Sequence, residues 1–192
     1  MYQIGVLALQ GDFEKHIQAI VRLGHQALEV RAKEDLDKTD ALILPGGEST
    51  TVLKLLHDSG FYHDILMFAK NQPAMGTCAG LIVLAKEVTN LPYAPLNLID
   101  ISVNRNAYGR QRDSFLDHIH INLNGVEKSF EGVFIRAPQI IRCGPGVHVL
   151  GNSKGVPVLA ANNRVLVSTF HPELTDDLSI HQYFIDYFVQ KK

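Results

Sequence analysis

The chain has 192 residues, of which 46% are hydrophobic and 20% charged, and this composition is ordinary for a globular domain. The formal net charge of -2 and the scattered lysines and arginines give no electrostatic basis for binding nucleic acid. No apolar run reaches the ~18 residues that a membrane span needs, and the N-terminus enters strand-like sequence without a basic head, so we expect a cytoplasmic protein.

The first half of the chain alternates strand-like and helix-like segments at close spacing. Apolar runs predict the strands, and apolar residues at a 3.6-residue period predict the helices. Continuous apolar strands separated by helices are typical of a parallel sheet covered on both faces, so we expect an α/β fold. The predicted strands are 2–9, 26–30, 40–45 and 74–76, and the predicted helices are 12–23, 50–58, 61–70 and 79–86.

After about residue 95, short strand-like segments follow one another with turn residues such as Asn124-Gly125 between them. This pattern predicts an antiparallel extension of the sheet, followed by an amphipathic helix over about 177–189 whose aromatic residues pack inward. Because no linker or repeat interrupts the sequence, we expect one domain over 1–192. The predicted strands are 98–103, 115–121, 132–135, 147–150, 157–161 and 164–169.

The segment 76–80, Gly-Thr-Cys-Ala-Gly, fits the glycine-x-nucleophile-x-glycine elbow, in which a strand turns sharply into a helix. Such a turn exposes the nucleophile at the carboxyl end of the strand, and the helix N-terminus that follows favours a thiolate. The motif therefore predicts Cys78 as a nucleophile, with a buried cysteine in a tight glycine turn as the alternative. Cys143 ends an apolar run, and we expect it to be a small buried hydrophobe at a strand end.

A histidine and a carboxylate, His171 and Glu173, follow the last predicted strand. A thiol nucleophile needs a base that can also protonate a leaving amine, and imidazole titrates in the right range. A carboxylate two residues on can fix the imidazole's tautomer and stabilise its cation. Taken alone, His-Pro-Glu is more typical of a surface turn, and it is the order nucleophile, histidine, acid that indicates catalysis.

Paired glycines, Gly46 and Gly47, end a buried strand just before a helix rich in serine and threonine. An oxyanion hole needs two N–H donors, one from the residue after the nucleophile and one from a neighbouring loop. Ala79 and Gly47 are the predicted donors. A glycine turn with Ser49 as the N-cap of the next helix is a second interpretation, compatible with the first.

Together these motifs resemble the triad, or class I, glutamine amidotransferases over most of the chain. Within that family the sequence is similar to the glutaminase subunits of pyridoxal 5′-phosphate synthase. Gly80 is followed by Leu81-Ile82, where other triad amidotransferases carry a glutamine, and this departure favours the vitamin B6 branch. The segments that carry the narrower resemblance are 9–11, 45–51, 76–81, 105–106, 109–111, 134–138 and 170–175.

The resemblance implies a flavodoxin-like glutaminase domain with Cys78 as nucleophile, His171 as base and Glu173 as the acid that orients it. It implies neither a metal nor a cofactor, and it implies a hetero-oligomeric complex with a synthase subunit that uses the ammonia. A second departure is that Glu14-Lys15 precede His16, where this branch often has the acid immediately before the histidine. The residues implied in binding L-glutamine are Gly47, Glu48, Ser49, Arg105, Ile135 and Arg136.

Three alternatives stay open from the sequence. One is a glutaminase subunit of the histidine or purine pathway, against which the segments around Arg105 and Ile135 argue. A second is an α/β-hydrolase, which shares the elbow but places the acid before the histidine, and a third is a non-catalytic binding module. His118 and His120 could form half a metal site but are expected to be exposed strand residues, and His181 is expected at the surface.

Overall fold

The computed structural model describes residues 1–105 and 114–190, so residues 106 and 109–111 of the resembling segments lie outside the described residues. Its strands are β1 (Gln3–Leu7), β2 (Gln26–Val30), β3 (Ala41–Leu44), β4 (Ala74–Thr77), β5 (Ala85–Val88), β6 (Ile99–Asn104), β7 (Ser114–Leu123), β8 (Val126–Ile135), β9 (Gln139–Cys143), β10 (His148–Ser153), β11 (Val156–Ala161) and β12 (Val165–Ser168). Its helices are α1 (Phe13–Arg22), α2 (Lys33–Leu36), α3 (Ser49–Ser59), α4 (Phe61–Asn71), α5 (Ala79–Leu84) and α6 (Ser179–Phe184), with a 3-10 turn at Pro172–Leu174 and a π-helical segment at Ile185–Val189.

A nine-stranded sheet in the order β2-β1-β3-β4-β12-β11-β10-β7-β8 runs through the structure. The pairings from β2 to β12 are parallel, and those from β12 to β8 are antiparallel. The α/β fold and its antiparallel extension are therefore confirmed. In the β7–β8 hairpin, Asn124 and Gly125 both have positive φ (54° and 85°), as a tight two-residue turn requires.

Two hydrophobic cores form, one on each face of the sheet. One lies under α1 and α6 and contains Ile20, Met75 and Phe184. The other lies under α3, α4 and α5 and also takes in the apolar side of a second, three-stranded sheet, β5-β6-β9. Because β3, β4 and β12 are buried along their whole length, their apolar runs are continuous rather than alternating.

The second sheet was not predicted, and the reason is local. The predicted helix 79–86 ends at Leu84, because segment 96–98 donates its backbone N–H groups to the carbonyls of 83–85 and so replaces the next helical turn. Residues 85–88 then extend as β5 and pair in parallel with β6. No helix in the described part of the chain combines the length and apolar character needed to cross a membrane.

The final helix was predicted over 177–189, and the structure forms it from α6 and the π-helical segment that continues it. Phe184 and Phe188 are buried in the core, as expected for packing residues. Tyr187 of the same stripe is 38% exposed and stacks on Tyr183. The aromatic stripe therefore packs through its phenylalanines, and its tyrosines lie nearer the surface.

Candidate active site

Cys78 lies at the sharp turn between β4 and α5, with backbone angles φ 49° and ψ -102°. Its N–H donates to the carbonyl of Ser168 on the adjacent strand, 2.9 Å away. This hydrogen bond fixes the turn in a backbone conformation that residues other than glycine rarely adopt. A Cβ on Gly76 would lie 2.6 Å from the carbonyl carbon of Gly80, and one on Gly80 would lie 1.9 Å from the carbonyl oxygen of Leu44. The two glycines therefore let β4, α5 and β3 meet, as the elbow motif predicts.

His171 follows β12, which pairs in parallel with the strand before Cys78. Its N–H donates to the carbonyl of Val133 on β8 at 2.9 Å, and the preceding Phe170 is fully buried against Phe134. The backbone at His171 is thus held from both sides. Because the carboxyl ends of parallel strands lie at one edge of a sheet, the elbow and this segment are brought together.

The side chains of Cys78, His171 and Glu173 form one connected group. Nδ1 of His171 is 2.7 Å from Oε1 of Glu173. Burial lowers the pKa of His171, but hydrogen bonds with Cys78 and Glu173 and the charges of those two groups outweigh burial and raise the pKa to about 10. Nearby anionic groups therefore favour an imidazolium at neutral pH. The sulfur is also 3.8 Å from the carbonyl oxygen of Ile135.

Glu173 is buried, and it contacts a second histidine that the sequence did not assign. Its Oε2 is 3.4 Å from Nε2 of His16, while Oε1 faces His171. Burial raises the pKa of Glu173, but the charge of His16 and the hydrogen bonds with both histidines outweigh it, so the pKa lies far below its usual range. The carboxylate is therefore ionised between two imidazoles.

The prediction that His181 is at the surface was wrong. Its side chain is fully buried, and its Nε2 is 3.0 Å from Nδ1 of His16. His181 is buried on the inward face of α6 with Phe184, because residues three or four positions apart lie on the same side of a helix. In the sequence, a histidine on the buried face of a helix cannot be told from one on the exposed face. The burial of His181 is explained only by its contact with His16.

The glycine turn after β3 packs directly against the histidine. A Cβ on Gly46 would lie 2.3 Å from Cε1 of His171, and one on Gly47 would lie 2.5 Å from Oε1 of Gln10. That same Gln10 oxygen accepts the N–H of Glu48 at 2.8 Å. The sequence predicted Gly47 as an N–H donor, but Gly46 is the residue that leaves room for the imidazole. The pair of adjacent glycines was the sequence feature from which this role of Gly46 could have been predicted.

The N-terminus of α3 is capped by Glu48, so the interpretation of Ser49 as the N-cap was wrong. The Glu48 carboxylate accepts the backbone N–H groups of Thr50 and Thr51, and Ser49 is already the first helical residue. Oε1 of Glu48 is also 3.2 Å from the guanidinium of Arg105, which in addition donates to Oγ1 of Thr50. A carboxylate and a guanidinium are thus fixed side by side at the site.

A cavity of about 360 Å³ opens in front of the sulfur. It is lined by every residue predicted for catalysis, the oxyanion hole or glutamine binding except Glu173, which lies behind His171. Five further lining residues were not assigned from the sequence, namely Gln10, Asp12, Gly46, Ile82 and Leu174. The structure therefore brings all of the predicted residues except Glu173 to one pocket.

Other candidate features do not compete with this pocket. A larger cavity, about 460 Å³, lies at the opposite edge of the sheet around Arg164 and Tyr187, and its described lining contains no thiol or carboxylate. His118 and His120 are exposed on β7, as predicted, and no three His, Cys, Asp or Glu side chains are grouped for a metal ion within residues 1–105 and 114–190. Cys143 ends β9 and is partly buried against the core.

The sequence profile of the SNO glutamine amidotransferase family matches residues 6–190. A relative from Fervidobacterium nodosum, named pyridoxal 5′-phosphate synthase subunit PdxT, is 49% identical over 183 residues, which cover 95% of each chain. The PdxT subunit from Thermosipho africanus is 46% identical over 96% of this chain and 97% of its own. This chain belongs to the SNO glutamine amidotransferase family. The resemblance inferred from the motifs is thereby confirmed.

Solved structures agree with membership of the SNO family. A crystal structure described as a glutamine amidotransferase superposes with a TM-score of 0.89 at 46% identity and covers 96% of this chain and 97% of its own. A protein from Thermoplasma acidophilum, described as a putative GMP synthase subunit, superposes with a TM-score of 0.70 at 17% identity over 97% and 94% of the two chains. The second likeness shows a shared fold only, and together they confirm the class I glutaminase architecture.

Proposed function

We propose that this chain is the glutaminase subunit of pyridoxal 5′-phosphate synthase and hydrolyses L-glutamine to L-glutamate and ammonia. The observation that carries the proposal is the meeting of Cys78, His171 and Glu173 at a pocket, in a chain up to 49% identical to subunits of that synthase. The purine-pathway alternative loses support, because the GMP synthase and PurLQS structures are only 17% and 14% identical.

The first half of the proposed reaction is an acyl transfer to sulfur. The Cys78 thiolate attacks the carbon of the glutamine side-chain amide, and the negative charge moves to the carbonyl oxygen. The backbone N–H groups of Gly47 and Ala79 stabilise this oxyanion. His171, held as an imidazolium, gives its proton to the nitrogen as the C–N bond breaks, so ammonia leaves and a glutamyl thioester remains.

The second half returns the cysteine. His171, now neutral, takes a proton from water, and the hydroxide attacks the thioester carbon. The C–S bond breaks, glutamate departs, and the proton on His171 again pairs with the thiolate. Glu173 keeps the imidazole in the orientation that both steps need, because its Oε1 holds Nδ1 at 2.7 Å. Glutamine and one water are consumed, and glutamate and ammonia are produced.

The proposed glutamine site uses the charges at the N-terminus of α3. A free amino acid presents a carboxylate and an ammonium, which a guanidinium and a carboxylate can recognise. Arg105 is largely buried and is oriented by Glu48, Thr50 and the Asn90 carbonyl, whereas the Glu48 side chain is 47% exposed. We infer that Arg105 receives the substrate carboxylate, that Glu48 receives the ammonium, and that Ile135 and Arg136 contact glutamine in the same pocket.

The partner in this proposal is a synthase subunit that accepts ammonia directly. Ammonia is mostly protonated in neutral water and is then no longer a nucleophile, so release into solvent would waste it. We expect the isolated chain to be a poor glutaminase whose loop at Gly47 is ordered by the partner. We also expect the complex to act in the cytoplasm, where the two free cysteines would stay reduced.

Glutamate release tests the function directly. Wild type and Cys78→Ala are assayed with and without the synthase subunit of a close relative. We expect slow release from the wild type alone, at least about tenfold faster release with the subunit, and none above background from Cys78→Ala. Full activity of the isolated chain would contradict the coupling, and activity in Cys78→Ala would contradict the chemistry.

A further inference from the structure

Two buried histidines lie behind the triad and have no part in the mechanism above. The side chains of His16 on α1 and His181 on α6 are both fully buried. The triad uses one oxygen of Glu173, and the other oxygen faces His16. Buried ionisable side chains are costly unless they are paired, so their placement next to a catalytic carboxylate calls for a function.

The geometry requires a hydrogen on one particular nitrogen of His16. Its Nε2 is 3.4 Å from Oε2 of Glu173 and 3.2 Å from Oγ1 of Thr77. A carboxylate can only accept hydrogen bonds, so an unprotonated Nε2 would face Oε2 with two lone pairs in a buried space. A hydrogen on Nε2 makes this 3.4 Å contact electrostatically favourable, and Oε2 accepts no hydrogen bond from any described residue.

His181 is placed to decide which nitrogen of His16 carries that hydrogen. Its Nε2 is 3.0 Å from Nδ1 of His16. Burial lowers the pKa of His181 to about 3, so its ring is neutral and has a single N–H. When that N–H is on Nε2, it donates to Nδ1 of His16 and leaves the hydrogen of His16 on Nε2. Nδ1 of His181 has no hydrogen-bond partner within the described chain, so no acceptor favours placing the proton of His181 on Nδ1 instead of Nε2.

We propose that His16 is a positioning residue of the glutaminase reaction, which holds the second oxygen of Glu173, and that His181 selects the tautomer of His16. This inference rests on the proposed function. The groups that face His16 are Glu173 on the 3-10 turn, His181 on α6 and the uncharged Thr77 on β4, and His171 is reached through Glu173. His16 does not line the pocket, so it has no direct contact with the substrate.

The amides of glutamine and asparagine offer a matched pair of substitutions. In His16→Gln the amide nitrogen can occupy the position of Nε2 and still donate to Glu173. In His16→Asn the shorter amide reaches the position of Nδ1, towards His181, and cannot contact Glu173. Both variants bury one amide of similar polarity, so a difference between them reports the contact with the carboxylate rather than general packing.

The test measures glutamate release by the complex with the synthase subunit, for wild type, His16→Gln, His16→Asn and His16→Leu. Rates are divided by the concentration of active sites, titrated with a chloroketone analogue of glutamine that alkylates Cys78. We expect kcat to fall about 10- to 100-fold in His16→Asn and His16→Leu, to stay within about threefold of wild type in His16→Gln, and KM to change little in all three.

The pH profile supplies a readout that a packing role would not change. Loss of the His16 donor raises the pKa of Glu173, so the acidic limb of kcat should move to higher pH in His16→Asn and remain in place in His16→Gln. His25→Leu is the control, because His25 contacts Tyr2 at the start of β1 and lies outside the network. It should leave both kcat and the limb unchanged.

Equal kcat per site in His16→Gln and His16→Asn, or a wild-type acidic limb in His16→Asn, would overturn the inference. If His16→Leu does not fold, the Gln and Asn pair still decides. If the wild type releases no glutamate that depends on Cys78, the proposed function itself has failed. If the wild type is active and His16→Asn has the same kcat and the same acidic limb of the pH profile, only the positioning role of His16 is contradicted.

Discussion

His171 and Glu173 depend on each other for their charges. The pKa of His171 is raised from 6.5 to about 10 in the folded chain, so its stabilising contribution is complete below pH 6.5 and is lost as the pH rises through about 10. The pKa of Glu173 is lowered from 4.5, so its contribution is complete above pH 4.5 and is lost as the pH falls. Both contributions are complete only between about pH 4.5 and 6.5, so the network stabilises the fold most in that range.

Glu173→Gln should lower the pKa of His171, because the substitution replaces the charged acceptor of the Nδ1 hydrogen bond with a neutral amide oxygen. Nitrogen-15 shifts of labelled imidazole measure the titration in wild type and variant. We expect His171 to stay protonated above pH 8 in the wild type and to titrate at least one pH unit lower in Glu173→Gln. A wild-type midpoint near 6.5, or no difference between the two proteins, would contradict this electrostatic account.

At the scale of elements, the sequence predicted the elbow from its glycines, and the close contacts of Gly76 and Gly80 explain why. It could not show that Gly46 rather than Gly47 faces His171, because that depends on how two distant loops approach each other. The same holds for His16 and His181, which lie 165 positions apart and are polar residues on helices. The motifs therefore predicted the geometry within an element but not the contacts between elements.

Gly80→Ala should destabilise the fold by about 3 kcal/mol or more, since its Cβ would lie 1.9 Å from the Leu44 carbonyl oxygen and neither backbone can move freely. Gly125→Ala is the matched control: its φ is 85°, but its Cβ would meet nothing within 4 Å, so only the left-handed backbone costs about 1–2 kcal/mol. Urea unfolding of both variants measures the difference. Equal losses would show that the contact with Leu44 does not matter.

Gly46→Ala should impair catalysis more than folding. Its Cβ would lie 2.3 Å from Cε1 of His171, so the imidazole has to move, and a shift of about 1 Å can cost about 100-fold in rate. Steady-state glutamate release with the synthase subunit measures kcat, and thermal unfolding measures stability. Gly24→Ala, at an open position after α1, should keep the wild-type kcat. A Gly46→Ala variant with normal kcat would mean that the turn does not confine His171.

At the scale of the whole molecule, the parallel half of the sheet was predictable because its buried strands are short continuous apolar runs between helices. The small sheet was not, because residues 85–88 (Ala-Lys-Glu-Val) show no strand-like alternation and only their pairing with β6 makes them a strand. The site is built on the predictable half: Gln10, Gly46, Cys78 and His171 all follow parallel strands of the main sheet, whose carboxyl ends share one edge.

The central claim is that the sulfur of Cys78 is the nucleophile for glutamine. The most direct test treats the folded complex with the chloroketone analogue of glutamine and maps the adduct by intact mass and peptide analysis. We predict one adduct per chain, on the peptide that contains Cys78, protected by glutamine and absent in Cys78→Ala. Alkylation of Cys143 at the same rate, or no adduct at Cys78 in a folded complex, would contradict the claim.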